Sequence, residues 1–347
     1  MDAFFTSVHE RGDARLKGMP VVVAGRSRRA VVAGASYAAR AFGVHSAMPL
    51  AQARQLCPNL VVVSTDPARY REASRQVHQI LRRFTSPDLI EPVALDEAYM
   101  DLTVRSRRGA QSAEELARRI KLAIHAEVHL TASVGVSTSK LVAKIAGASR
   151  KPDSLVVVAP GEEADFLAPL AVSQMPGLGP RTEERLRLLG ITSLGALAAY
   201  DTQRLVQVLG TSGAVLQRLA QGRDRNPVMG RRPAKTMSAE MTFEYDVTDA
   251  QQLDQALREL VQRIAGRLTG DGLSARTVYL KLKFADFRQV SRQLSRTGAT
   301  SDAETIYRAA RNALERSLPG GHPVRLIGVG VSGLVHPHPD RQLTLFD

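Results

Sequence analysis

Two adjacent carboxylates, Asp96 and Glu97, lie where an apolar, strand-like stretch is interrupted between residues 92 and 101. Mg²⁺ prefers oxygen ligands, and it is usually bound by one or two carboxylates together with water and substrate phosphates. Beside a nucleotide, such a pair suits phosphoryl transfer, because a divalent cation stabilises the charge that develops on phosphate oxygens. The pair alone is a weak signal, since neighbouring acidic residues are mostly solvated surface groups. Its meaning depends on the surrounding elements and motifs.

The charge of the chain favours a polyanionic partner. Its 347 residues include 47 Lys and Arg against 34 Asp and Glu, which gives a net charge of +13. This excess suits nucleic acid, because binding releases the counterions condensed on phosphates. The alternative reading is that the excess serves only solubility.

Length and cysteine content set further limits. A chain of this length predicts more than one domain, since a domain usually holds about 100–200 residues. The single cysteine, Cys57, excludes an internal disulfide framework and a zinc site built on several cysteines. The apolar runs at 21–23, 60–63 and 155–158 are far too short to span a bilayer. We therefore expect no membrane contact and a reducing, cytoplasmic location.

The elements that would position the two carboxylates alternate between short strands and amphipathic helices. Periodicity predicts strands near 21–23, 30–32, 60–63, 130–137 and 155–158, and helices near 50–56, 70–84, 114–127 and 140–148. Residues 222–235 are polar, Arg-rich and interrupted by proline and glycine, which is typical of a linker. Beyond it, residues 278–284 alternate apolar with polar or basic side chains, which predicts a strand with one packed and one basic face. A helix near 304–318 and a strand near 325–331 complete this module.

Several motifs occur in the order and at the spacing of one known family. They read MDAFF at 1–5, ASYAARAFGV at 35–44, LDEAYMD at 95–101, and SVGVS at 133–137 followed by Lys140, Lys144 and KPD at 151–153. On these motifs the chain resembles the Y family of DNA polymerases over essentially its whole length, and its polymerase IV class most of all.

The resemblance implies an α+β fold arranged as a multidomain right-hand polymerase. We expect a split β-α-β palm, small fingers, a helix-hairpin-helix thumb, and an α/β little finger. The expected bounds are 1–10 with 69–159 for the palm, 11–68 for the fingers, 160–222 for the thumb, 223–235 for a linker, 236–334 for the little finger, and 335–347 for a tail.

In the family that this chain resembles, three carboxylates hold two Mg²⁺ ions, or Mn²⁺ in their place. Two of them match Asp96 and Glu97, with Asp96 bridging both ions. The third lies on a first strand that reads apolar-His-apolar-Asp-apolar-Asp, whereas this chain opens at Met1 and Asp2 with only the second aspartate. We expect the true start to lie a short distance upstream. Asp2 is expected to be a local cap, since one strand repeat of roughly 6–7 Å is too far for a metal bond.

The resemblance also assigns nucleotide contacts. Phe5 matches the aromatic steric gate that excludes a ribose 2′-hydroxyl, and strand alternation would place it opposite a buried Phe4. The triphosphate contacts match Tyr37, Arg40 and Lys151. Many relatives carry a hydroxyl residue three positions before the tyrosine, where this chain has Gly34; one hydrogen bond to the triphosphate would then be lost.

Contacts to DNA and to a protein partner follow from other motifs. Gly177 and Gly179 open a predicted helix whose backbone N–H groups would hold a phosphate of the primer-template duplex. The little finger would contact phosphates through Lys281, Lys283, Arg288, Arg292 and Arg296. The terminal QLTLF resembles the peptide that docks bacterial polymerases on the sliding clamp, and its expected contacts are Gln342, Leu343, Leu345 and Phe346.

Together these observations predict a monomeric, template-directed DNA polymerase that takes dNTPs, acts in error-prone translesion synthesis and lacks proofreading. Two alternatives stay open. One is a catalytically silent, clamp-tethered DNA-binding protein without the first-strand ligand, because fold alone does not determine activity. The other is a different palm-based reaction such as nucleotide cyclisation, in which the helix-hairpin-helix and the clamp peptide would have no role.

Overall fold

The computed structural model describes residues 1–108, 112–230, 233–317 and 321–336. The chain forms two compact units. The first is Met1–Arg26 with Ala30–Arg231, and the second is Ser27–Arg29 with Arg232–Asp347. Within the described ranges, no helix is both long and apolar enough to cross a membrane.

The first unit begins with a helix and a small three-stranded sheet. Its elements are α1 (Phe4–Gly12), β1 (Val21–Ala24), β2 (Val32–Ala35), α2 (Tyr37–Arg40), α3 (Leu50–Leu56), β3 (Val61–Ser64) and α4 (Pro67–Leu81). The strand order is β2-β1-β3, with β1 antiparallel to β2 and parallel to β3. The valines of β1 are completely buried, as expected for a continuous apolar run in a central strand.

The next segment carries the acidic pair. Its elements are β4 (Ile90–Pro92), β5 (Ala98–Met100), α5 (Thr103–Arg108), α6 (Ala113–Val128), β6 (Val134–Val136), α7 (Lys140–Ser149) and β7 (Leu155–Val157). A capping box between Ser112 and Glu115 starts α6. The strands form two separate pairs, antiparallel β4-β5 and parallel β6-β7. The predicted strand over 130–137 is therefore shorter than its apolar pattern indicated.

Close packing of β6 on α7 depends on one glycine. A Cβ added at Gly135 would lie 1.9 Å from the Ala143 carbonyl oxygen. Any side chain there would force the strand away from the helix. The glycine of the SVGVS motif is thus required by packing and not by backbone conformation.

Among the described residues, five further helices follow in the first unit and pack on an apolar core that they share with α7. They are α8 (Glu163–Leu167), α9 (Pro180–Leu188), α10 (Leu194–Ala199), α11 (Thr202–Leu209) and α12 (Thr211–Ala220). Gly177 before α9 and Gly190 after it have φ angles of +83° and +76°, which favour glycine. The predicted turn at Gly190 is present.

The second unit is a four-stranded antiparallel sheet with two helices. Its elements are β8 (Thr236–Val247), α13 (Ala250–Gly270), β9 (Ser274–Phe284), β10 (Gln289–Thr300), α14 (Ala303–Glu315) and β11 (Val324–Val335), and the strand order is β10-β9-β11-β8. In β9, Leu280, Leu282 and Phe284 are buried in a core shared with both helices. The predicted alternation of this strand is confirmed. Helix α13 was not among the predicted elements, although Leu253, Leu257 and Leu260 recur at helical spacing.

Candidate functional site

A cavity of about 270 Å³ lies in the first unit. It brings together five of the residues singled out in the sequence, namely Phe5, Tyr37, Arg40, Asp96 and Lys151. The remaining lining residues are Met1, Ala3, Phe4, Ala33, Gly34, Ala35 and Ser46. One carboxylate thus shares a small space with a guanidinium and an ammonium group, a combination that suits a phosphorylated ligand bound through a cation.

The acidic pair lies in the tight turn between β4 and β5. The Val93 and Ala94 N–H groups both donate to the Glu97 carbonyl oxygen, at 2.9 and 3.2 Å, and this fixes the turn. The Asp96 side chain is 37% exposed, and the Glu97 side chain is 39% exposed and ion-paired with Lys144. Asp96 therefore faces the cavity, whereas Glu97 is held beside it by a lysine.

The donor set fits one hard divalent cation. Two adjacent, partly exposed carboxylates are what Mg²⁺ uses when substrate phosphates supply its other ligands. A second ion needs a further acidic ligand, and among the residues that the structure describes no group of three His, Cys, Asp or Glu could hold a metal. The Met1 amino nitrogen lies 2.8 Å from the Asp96 carbonyl oxygen and 4.0 Å from Oδ2.

Phe5 lines the cavity for a different reason from the one predicted. Phe4 and Phe5 lie in helix α1 and not on a strand, so about 100° of helical rotation separates them. Phe4 is 4% exposed and packs in the core. The ring of Phe5 contacts that of Tyr70 on α4, with the centroids 4.5 Å apart. Tyr70 was not predicted as a site residue; the sequence indicated only that it lies in the helix predicted at 70–84.

Tyr70 is fixed by a buried hydrogen bond. Its hydroxyl lies 2.8 Å from His9 Nε2, and Tyr70 and His9 are only 4% and 8% exposed. His9 follows Phe5 by four residues on α1 and therefore shares its face of the helix. Burial, assisted by Arg69 and opposed by Asp66, lowers the pKa of His9, so the neutral ring is favoured.

Replacing Tyr70 with phenylalanine is expected to reduce the free energy of unfolding by about 1–2 kcal/mol, because the buried His9 nitrogen loses its partner. The change keeps the ring against Phe5. Urea unfolding at pH 8 measures the loss. Tyr245→Phe is the matched control, since Tyr245 is 63% exposed and its change is expected to be neutral. Equal stabilities for both variants would show that the hydrogen bond contributes nothing.

Tyr37 and Arg40 are positioned by the short helix α2. Ser36 caps the helix by accepting a hydrogen bond from the Ala39 N–H. The Tyr37 hydroxyl is buried and has no hydrogen-bond partner among the described residues. Burial, with a smaller contribution from Asp2, raises its pKa, so it stays a neutral donor. Arg40 stacks on the Tyr37 ring at 4.9 Å and donates through Nε to the Ala35 carbonyl at 3.1 Å.

Gly34 on β2 packs directly against Phe5. A Cβ added there would lie 3.2 Å from Phe5 Cβ and 3.3 Å from Cδ2, a distance at which one of the two must shift. Many relatives carry a hydroxyl residue at this position. In this chain the glycine has no such hydroxyl, and the Phe5 side chain lies in close contact with it.

Lys151 reaches the cavity from the turn after α7, and its Nζ donates to the Met1 carbonyl at 3.3 Å. Asp2 lies nearby but points elsewhere. Its carboxylate is buried and accepts hydrogen bonds from Ser133 Oγ and the Asp153 N–H, each at 2.8 Å. The prediction of a local cap was wrong, because both partners lie more than 130 residues away in the chain.

The predicted DNA contacts are distributed over both units. Gly179 is the N-cap of α9, and a Cβ added at Gly177 or Gly179 would meet no atom within 4 Å. In the second unit, Lys281 pairs with Glu240 at 2.9 Å, and Lys283 lies 4.8 Å from the ring of Phe287.

The sheet register separates the predicted basic residues. Arg292 on β10 pairs with Leu280 on β9, and paired residues point to the same side of a sheet. Arg292 therefore lies on the helix-covered side, whereas Lys281 and Lys283 lie on the open side. Arg288 lies outside the strand, 5.0 Å from the Phe284 ring, and the clamp-peptide residues 342–346 lie outside the described residues.

Comparison with known proteins identifies the family. Models of the impB/mucB/samB family match residues 1–148, its C-terminal domain matches 234–345, and its helix-hairpin-helix motif matches 160–191. The DNA polymerase IV of Halorhodospira halophila is 43% identical over 335 residues, which are 96% of this chain and 93% of that protein. The chain therefore belongs to the impB/mucB/samB family.

Solved structures agree with the sequence comparison. A Y-family DNA polymerase chimera is 28% identical, covers 96% of this chain and 97% of its own, and superposes with a TM-score of 0.87. The insertion ternary complex of the Dbh DNA polymerase is also 28% identical, with coverages of 95% and 96% and a TM-score of 0.68. The predicted Y-family fold is confirmed, and with it a general dependence on a divalent cation.

Proposed function

We propose that this polymerase catalyses template-directed addition of dNTPs to primer-template DNA in translesion synthesis, without proofreading. One observation carries the proposal: Asp96, Phe5, Tyr37, Arg40 and Lys151 meet at one cavity although they are scattered over 147 residues of sequence. Relatives of nearly full length support it, and they do not favour the silent DNA-binding alternative. Cyclisation gives no role to the helix-hairpin-helix or the basic second unit.

Each cavity residue has a distinct task in this proposal. Asp96 and Glu97 would hold Mg²⁺, which supplies charge stabilisation on the phosphates and activation of the primer hydroxyl. Arg40 and Lys151 bind the triphosphate and balance its charge. The neutral Tyr37 hydroxyl, buried and lacking a partner among the described residues, donates a hydrogen bond to a phosphate oxygen. Lys144 forms an ion pair with the Glu97 carboxylate and balances its charge before a cation binds.

Phe5 is proposed to exclude ribonucleotides. Phe5→Val shortens the side chain, and we expect the efficiency of rNTP incorporation, kcat/KM, to rise at least about tenfold relative to dNTP, or ~1.4 kcal/mol. Single-nucleotide insertion with matched dNTP and rNTP measures it. Phe42→Val is the control, because Phe42 is 52% exposed and does not line the cavity. An unchanged ratio in Phe5→Val would remove Phe5 from this role.

The second unit is proposed to contact DNA phosphates with the open face of its sheet. Lys283→Ala is expected to weaken binding of primer-template DNA and to reduce the slope of log K against log salt by about 1, whatever the DNA sequence. Arg292→Ala tests the assignment to the open face, because Arg292 lies on the opposite face. Arg308→Ala on α14 is the control, because it removes the same positive charge from a side chain that is 76% exposed. A larger change of slope in Arg292→Ala would indicate that the DNA contacts the helix-covered side.

Three further assignments rest on the sequence. The palm, fingers, thumb and little finger have the bounds given above. The QLTLF terminus docks on the sliding clamp, which raises the effective concentration of the polymerase at the primer end. The polymerase acts as a monomer in the bacterial cytoplasm and uses two Mg²⁺ ions.

A further inference from the structure

Asp2 has a buried carboxylate with both oxygens engaged. Asp2 as a whole is only 2% exposed. Oδ1 accepts from Ser133 Oγ and Oδ2 accepts from the Asp153 N–H, each at 2.8 Å. A buried carboxylate is costly unless such partners satisfy it. The two bonds therefore join the start of the chain to two distant segments, one leading into β6 and the other preceding β7.

The Asp153 N–H belongs to the turn that carries Lys151. Asp153 has φ +48°, a left-handed conformation that residues with a side chain adopt only occasionally. Two groups of bonds hold it there: the hydrogen bond to Asp2, and the ion pair of its own carboxylate with Lys121 at 2.7 Å. Ser133 Oγ also accepts from the Ser154 N–H at 3.3 Å. The turn is thus held by Asp2 and its partner Ser133, neither of which lines the cavity.

Lys151 leaves the same turn toward the cavity. Its Nζ donates to the Met1 carbonyl at 3.3 Å and lines the cavity with Tyr37, Arg40 and Asp96. Two residues of backbone separate it from the N–H that Asp2 binds. A lysine side chain is long and flexible, so the position of its ammonium group depends on how firmly the turn is fixed.

We propose that Asp2 is a positioning residue, which fixes the 151–154 turn through Ser133 and Asp153 and thereby presents Lys151 to the triphosphate of the incoming nucleotide. The inference rests on the proposed contact between Lys151 and the triphosphate. It gives Asp2 a role in nucleotide affinity although its carboxylate touches neither the nucleotide nor a metal.

A double-mutant cycle between Asp2 and Lys151 tests this, because residues that act through one another are non-additive. The readouts are the Kd of a correct dNTP on full-length protein bound to a chain-terminated primer-template, and kcat and KM with an extendable primer. Asp2→Ala is expected to raise Kd and KM about tenfold while kcat changes less than about threefold. Asp2→Asn, which keeps an oxygen for the Asp153 N–H, is expected to retain most of the affinity.

In the Lys151→Ala background, Asp2→Ala is expected to have no further effect on Kd. Additive effects would overturn the inference and leave Asp2 a purely structural residue. A normal Kd in Lys151→Ala alone would remove Lys151 from the triphosphate site, and the inference with it. Should Asp2→Ala fail to fold, Ser133→Ala replaces it in the cycle, since it removes the Ser133 bonds to Asp2 and Ser154 while leaving the Asp2 carboxylate bound to the Asp153 N–H; a smaller rise in Kd is then expected.

Discussion

Replacing Asp96 with asparagine is expected to lower the rate of dNTP incorporation at least about 10³-fold, or ~4 kcal/mol in activation free energy. Asparagine keeps the size of the side chain but loses the negative charge that a divalent cation requires. The variant keeps the hydrogen bond from Met1 N to the Asp96 backbone carbonyl and loses only the longer ion pair with Oδ2 at 4.0 Å, so the fold is expected to be unchanged. Mg²⁺-dependent primer extension measures the effect.

Asp101→Asn is a matched control for this variant. Asp101 follows β5 and accepts a hydrogen bond from the Thr103 N–H through Oδ1 at 2.8 Å, which asparagine can also do. Affinity for primer-template DNA is expected to be equal in both variants. If Asp96→Asn extends primers at the rate of Asp101→Asn, the acidic pair is not the catalytic site, and the silent DNA-binding reading becomes the better account.

An engineered form that carries a short strand before Met1, ending in apolar-His-apolar-Asp, is expected to incorporate dNTPs about 10³-fold faster than the chain as printed. The added aspartate would attach at the Met1 nitrogen, which lies 4.0 Å from Asp96 Oδ2. It would supply a third carboxylate, and two-ion catalysis requires ligands on both sides of the reacting phosphate. Primer extension over a range of Mg²⁺ concentrations compares the two forms.

The same extension ending in asparagine separates the carboxylate from the strand. The added residues would lie between the β4-β5 and β6-β7 pairs, because Met1 N and Asp2 N already donate to the Asp96 and Thr131 carbonyls. The asparagine form is expected to gain thermal stability but little activity. If it is as active as the aspartate form, the strand and not the third ligand limits the chain as printed. If both printed and extended forms are inactive yet bind DNA, the polymerase assignment fails for this chain.

Local patterns in the sequence predicted the elements that depend on neighbouring residues. The alternation of Leu280, Leu282 and Phe284 predicted a half-buried strand, and the acidic pair was placed correctly at an interruption between strands. Glycine at 190 predicted a turn, because its positive φ is a property of that residue alone. These features need no knowledge of distant contacts.

The sequence was less informative where a boundary or a strand register sets the direction of a side chain. Phe5 was expected to face the nucleotide by strand alternation, yet it lies in α1 and reaches the cavity by helical rotation. Arg292 and Lys281 were both predicted to contact phosphates, and the pairing of β10 with β9 puts them on opposite sides of the sheet. Strand register is fixed by packing and bulges across strands, and no periodicity within one strand reports it.

Residue type and spacing along the chain were enough to predict the family, the acidic pair and five of the side chains that line the cavity. The groups that hold these side chains in place follow only from the folded chain. Asp2 binds Ser133 and Asp153, Glu97 pairs with Lys144, and Tyr70 packs on Phe5. Such contacts join residues tens to more than a hundred positions apart, and they exist only once folding closes the intervening loops.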